Sequence, residues 1–200
     1  MELDPRKTAV IAVHCQGDIV GSTGAFADFF HAEVKNRGVV KKIGHLLNNA
    51  REAGATVIYT KVAFRPDYSD LHANSPLLQI VEQSGCLKEG SELAEIVTDL
   101  SPAESDFVVT HQRVGGFVPE LVEILEQREI TTVLFSGVAT NVSVEGTARA
   151  ASDHGFRVVI AEDACSAATA ETHTASTGSL SLLAEIVTTE ELSWAPTKTP

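Results

Sequence analysis

The sequence predicts an α/β protein, a three-layer α/β/α arrangement around one six-stranded parallel sheet. Two observations predict it. Strand-length apolar runs rich in β-branched residues recur along the chain, and segments with apolar residues at helical spacing separate them. Strict alternation of strand and helix gives right-handed crossovers between parallel strands. A length of 200 residues with 44% hydrophobic content suits one sizeable core. Nothing resembles a linker, so residues 1–192 read as a single domain and 193–200 (SWAPTKTP) as a loosely held polar tail.

Taken in order, Thr8–His14 (TAVIAVH) is the first strand and ends in the polar cluster HCQGD. Gly21–Phe30 reads as a loop whose Phe26, Phe29 and Phe30 either wall a pocket or pack the loop down. Val39, Val40, Ile43, Leu46, Leu47 and Ala50 mark a helix that stops at Gly54, and Thr56–Val62 is the second strand. The 43 residues Ala63–Ser105 exceed a plain crossover and include two helix-like pieces, Leu77–Gln83 and Glu92–Val97. An excursion of this length suggests a lid or a subunit contact. Asp106–Thr110 is the third strand, and Val118, Leu121, Val122 and Leu125 share a helix face after it.

The stretch Thr132–Arg149 (TVLFSGVATNVSVEGTAR) carries the clearest signal. Thr132–Phe135 is a strand buried on both faces, Ser136-Gly137 breaks the run, and Thr140 and Asn141 are polar caps for a helix with Val144, Thr147, Ala148 and Ala151 on its apolar side. Arg157–Ala161 is the fifth strand, a helix follows over roughly Ala168–Leu183, and Ala184–Val187 is the last strand.

Charge narrows the function. The net charge is −12, with 14 Asp/Glu against 5 Lys/Arg in residues 101–200 and 13 against 10 before them. An acidic chain with no basic stripe argues against nucleic acid and anionic membranes as partners, and solubility is a sufficient reason for the charge. The opening residues lack a signal-peptide pattern, and Cys15, Cys86 and Cys165 are scattered without a CxxC. Both facts lead to the expectation of a cytoplasmic protein.

In open α/β sheets ligands bind beyond the C-terminal strand ends, where the winding reverses. The residues there are His14, Cys15, Gln16 and Asp18, then His111 and Arg113, then Ala139–Ser143, then Asp163 and Cys165. Ser143 falls in a first helical turn, where free backbone N–H groups and a positive dipole end cradle a carboxylate or oxyanion. Its hydroxyl is a candidate nucleophile and equally an ordinary first-turn residue.

These segments carry a resemblance over nearly the whole chain. HCQGDIV is similar to the DxQxDF motif of the isochorismatase-like hydrolases, VVTHQRVGGF to their K-x-R-x-x-x-F segment, and GVATNVSVEGTARAASDHG to their GxxT-x-x-C-V helix start; DACSA and the helix containing His173 also fit. The resemblance implies strand order 3-2-1-4-5-6, a cis peptide at Val138–Ala139, an oxyanion hole from the N–H groups of Ala139 and Ser143, and a homodimer or homotetramer. The family's amidases use a Cys nucleophile, an Asp base and a supporting Lys. Those positions hold Ser143, His14 and His111 here, so all three reactive groups differ.

Three readings follow. In the first, the protein hydrolyses a small amide, imide or related carbonyl compound, with His14 as base to Ser143 and His111 assisting charge or proton transfer. Gln16, Phe26, Arg65, Arg113, Phe117, Val138 and Thr140 are then the substrate-binding candidates, the arginines as carboxylate forks. In the second, the set has lost catalysis and binds a small metabolite. In the third, an ether or ring is cleaved by acid assistance without a nucleophile. No cofactor is implied. A metal held by His14, His111 and either Asp18 or His72 is not expected, since TKVAFRPDY lacks the D-x-H element of metal-using nicotinamidases. Asp18 is expected to pin the first loop, Cys15 and Cys165 to pack, and His31, His45, His154 and His173 to be structural or surface residues.

Overall fold

The computed structural model describes residues 1–196; the end of the expected tail, 197–200, lies outside the described residues. The elements are β1 (Glu2–Leu3), β2 (Thr8–Val13), α1 (Gly17–Val20), α2 (Ala27–Asn36), α3 (Val39–Ala53), β3 (Thr56–Val62), α4 (Pro76–Ser84), β4 (Phe107–His111), α5 (Pro119–Gln127), β5 (Thr132–Val138), α6 (Glu145–Asp153), β6 (Arg157–Ser166), α7 (Ala170–Leu180), β7 (Glu185–Val187) and β8 (Ser193–Trp194). Six of these strands form an all-parallel sheet in the order β4-β3-β2-β5-β6-β7, which is the expected 3-2-1-4-5-6 when they are counted along the chain.

Side chains leave β2 alternately for two cores, as the pleat dictates. Ala9, Ile11 and Val13 pack with Leu121 and Leu125 of α5, Ala148 and Ala151 of α6 and Leu180 of α7. Val10 and Ala12 pack instead with Val34 of α2 and Ile43, Leu47 and Ala50 of α3. Among the described residues no helix is long and apolar enough to cross a membrane.

Helix ends follow local chemistry. Gly54 takes φ 80° and closes α3 with N–H bonds to Ala50 O and Arg51 O. The Ser75 hydroxyl accepts from Leu78 N at the start of α4, with Pro76 in its first turn, and Gly85 ends that helix at φ 69°.

Several boundaries differ from the sequence reading. Phe29 and Phe30 lie in α2 rather than in a loop. β5 runs through Ser136 and Gly137 to Val138, because both residues are buried against β2: Gly137 has φ 120°, and a Cβ there would lie 2.1 Å from Val13 O. β6 continues to Ser166, past Ala161. The second helix-like piece of the excursion is only a 3-10 turn, Glu92–Ala94. Ser193 and Trp194, placed in the tail, pair in parallel with Glu2 and Leu3.

Candidate active site

The winding reverses between β2 and β5, which lie side by side with Val13 opposite Gly137. His14 follows Val13 directly. It adopts φ 51°, a left-handed conformation that costs a non-glycine residue about 1–2 kcal/mol, and its N–H is anchored on Thr60 O at 3.0 Å. His111 ends β4 opposite Val62. The two imidazoles, both buried, meet across the end of the intervening β3 with Nε2 atoms 3.1 Å apart.

The hydrogen-bond network assigns the protons. Arg113 N–H donates to His111 Nδ1 at 3.3 Å, so that nitrogen holds a lone pair and His111 carries its proton on Nε2. His111 Nε2–H then donates to His14 Nε2, and His14 carries its proton on Nδ1. Burial, reinforced by the neighbouring His111, holds His14 well below the ordinary histidine pKa of 6.5, and burial pushes His111 down to about 4. The pair is therefore neutral near pH 7.

Beyond β5 the Val138–Ala139 peptide is cis. The expected cap bonds from the Thr140 and Asn141 side chains are not made. The chain instead enters α6 through a wide π turn, Thr140–Val144, in which Ala139 O accepts from the N–H groups of both Val142 and Val144. Ser143 sits in this turn, 5% exposed, and neither its hydroxyl nor the Ala139 N–H has a hydrogen-bond partner among the described residues. Thr147 Oγ1 donates to Ser143 O at 2.6 Å and accepts Gly116 N–H at 2.8 Å, which ties the loop after β4 to the serine turn.

His14, Ser143, Val138, Ala139, Phe26 and Arg113 line one small cavity. The structure thus brings together residues from four separate segments. His111 stands behind His14 rather than on the cavity surface. Phe26 and Phe30 wall the cavity, as the first reading of the phenylalanines has it, while Phe29, on α2 and 49% exposed, neither lines it nor packs a loop down.

Four binding candidates are not brought to the cavity. The Gln16 side chain is a buried clamp, accepting from Val62 N (2.8 Å) and donating to Val62 O (2.7 Å) and Ala94 O (2.6 Å). Arg65 is exposed on the excursion. Phe117 packs on His154 and Phe156 beside the opposite core. Thr140 Oγ1 is bound to His173 Nδ1 at 2.8 Å.

Other candidates resolve by contact. Asp18 pins the loop, accepting from Ala25 N (3.3 Å) and Leu87 N (2.8 Å). Cys15 and Cys165 are fully buried; burial raises the Cys15 thiol to about 12 and the Cys165 thiol further, which removes their thiolates. Asp163 receives Thr189 N and Oγ1. No group of three potential metal ligands occurs among the described residues.

His173 does more than a generic structural histidine. Its Nε2 meets Glu162 Oε2 (3.0 Å), Glu162 is held by Arg37, and its Nδ1 reaches Thr140, so the network orders the turn carrying Ser143. The excursion, expected as a lid or a subunit contact, lays Leu77, Leu78, Val81 and Leu87 along the cavity, residues that the sequence reading did not name. Only the helical spacing of Leu77–Gln83 hinted at it.

The six-stranded parallel order, with the cavity at its winding reversal, is that of the isochorismatase-like hydrolase fold. The chain belongs to the isochorismatase family: the Isochorismatase domain model matches residues 8–191. It is 33% identical over 175 residues to the isochorismatase family protein YecD of Escherichia coli O157:H7, covering 86% of this chain and 87% of that one. The ureidoacrylate amidohydrolase RutB of Rhizobium rhizogenes is 31% identical over 178 residues, covering 81% of this chain and 71% of that one. The crystal structure of a cysteine hydrolase from Pseudomonas syringae pv. phaseolicola superposes with a TM-score of 0.86 at 27% identity, covering 96% of this chain and 92% of the other.

Proposed function

We propose that this protein hydrolyses a small amide or imide, with Ser143 as nucleophile and the His14–His111 pair handling its proton. One observation carries the reading: Ser143, His14 and Ala139 border the same small space at the winding reversal. The amidohydrolase relative supports the reaction class. Ser143 Oγ bonds to the carbonyl carbon and its proton passes to His14, while the N–H groups of Ala139 and Ser143 meet the charge on oxygen. Collapse breaks the C–N bond, the proton goes to the leaving nitrogen, and an ester remains on Ser143. Water adds to that ester, releases the carboxylic acid and restores the hydroxyl.

To accept a proton on Nδ1, His14 must first place its own on Nε2, with His111 protonated on Nδ1. That tautomer replaces the 3.3 Å bond from Arg113 by two N–H donors facing each other, at a cost of about 1–3 kcal/mol, up to about a hundredfold in rate. The resting tautomer favours a second reading, in which His14 Nδ1–H donates to the substrate and water attacks without a covalent step. Assaying small amides with wild type, Ser143→Ala and His14→Ala separates the two. Loss of turnover in Ser143→Ala, with a mass increment on Ser143 during wild-type turnover, supports the nucleophile. Equal turnover in Ser143→Ala with loss in His14→Ala replaces it by the second reading. A ligand that binds tightly and stays intact after long incubation refutes both.

A further inference from the structure

Of the fifteen residues around the cavity only His14, Ser143 and Arg113 carry polar side chains. His14 and Ser143 stand at the strand ends. The facing wall, from α4 and the segment after it, is hydrocarbon: Leu77, Leu78, Val81 and Leu87. Nearby polar groups that could have served a ligand are already engaged with backbone. Gln16 is clamped to Val62 and Ala94, both Asp18 carboxylate oxygens accept amides, and Tyr68 Oη donates to Cys86 O at 2.6 Å. Arg113 reaches the rim, where its Nη1 donates to Gln112 O at 3.0 Å.

A substrate entering this space meets donors and acceptors at its carbonyl end and none at the far end. A second polar group placed against the leucine wall would lose its water without gaining a partner. We propose that the substrate is a small amide with a hydrocarbon body, an alkyl or aryl acyl group seated against Leu77, Leu78 and Val81, and that Leu77 is a specificity-determining residue. This rests on the amide-hydrolase reading for the position of the carbonyl, while the choice of body rests on the wall alone.

The test compares isosteres. Isocaproamide and succinamide have nearly the same shape and differ in whether the far end is an isopropyl group or a carboxamide. Wild type should favour isocaproamide in kcat/KM by more than about tenfold, and kcat/KM should rise about fourfold per methylene from propanamide to pentanamide. Leu77→Gln, at a half-buried position, should narrow the isocaproamide preference severalfold. Binding is followed separately by thermal shift of Ser143→Ala with each amide, which needs no turnover. Stabilisation by isocaproamide above succinamide supports the apolar body even if neither amide is cleaved, a result that would sink only the hydrolysis reading. Equal, absent or reversed preference in binding overturns the inference, even if both amides are cleaved.

Discussion

Acidification should destabilise this protein through His111 before its carboxylates dominate. The imidazole is 3% exposed and its pKa falls from 6.5 in the unfolded chain to about 4 in the fold. With the folded pKa depressed, the unfolded state binds more protons between these values, so stability is fully present above pH 6.5 and declines as pH falls toward 4. At about pH 4.5 the linkage amounts to about 2.5 kcal/mol relative to pH 7.5. His14, lowered in the same direction, adds to the loss. Urea denaturation of wild type and His111→Asn at several pH values measures the contribution of His111 together with the part of the His14 shift that His111 causes. Wild type should lose at least about 2 kcal/mol more than the variant between those pH values. Parallel decline would show that the ring is not held neutral by burial, and with it would go the proton assignment of the pair. The same lowered pKa values place any acid limb of the pH–rate profile below 6.5, in the direction of 4.

Gly137→Ala should be among the most damaging substitutions in the chain, costing more than about 3 kcal/mol, because its Cβ would lie 2.1 Å from Val13 O and its φ is 120°; soluble protein with a near-native denaturation midpoint would contradict the packing of β5 on β2. Gln16→Leu leaves Val62 N, Val62 O and Ala94 O without their partner and should cost about 2–4 kcal/mol, with faster hydrogen exchange at the Val62 amide as the local signature. Thr140→Val keeps the shape but removes the bond to His173 Nδ1. A loss of about 1–2 kcal/mol is expected, along with a fall in turnover larger than any change in KM; unchanged values for both would detach the His173 network from the serine turn.

The sheet was readable because its evidence is local. Uninterrupted runs such as Thr132–Phe135 and Thr56–Val62 name strands wherever they occur, and Gly54 marks a helix end by its own conformational freedom. The strand-end rule then offered His14, His111 and Ser143 among a longer set, and the family resemblance singled those three out. What the sequence withheld is contact across the fold. Gln16, Thr140 and Phe117 looked like binding residues because of where they fall in motifs, yet their partners (Val62, His173 and His154) are remote in sequence and fix them elsewhere. Ser136-Gly137 looked like a break because small residues usually punctuate strands; only the close approach of β2 makes them part of one. The leucine wall was hidden for a related reason, since helical spacing in Leu77–Gln83 says that a face is buried but not which space it borders.

The excursion that supplies that wall is fastened to the strand ends at many points: Gly17 N donates to Glu95 O, Val97 N donates to Cys15 O and Lys61 pairs with Glu95. Asp18 holds the Leu87 amide, and Gln16 holds the excursion's Ala94 carbonyl together with the end of β3. Both anchors lie just beyond His14 in the chain, so the segment hangs from the strand end that carries the imidazole. One run of four residues, Cys15 to Asp18, therefore sets both where the imidazole stands and how far the apolar wall lies from it.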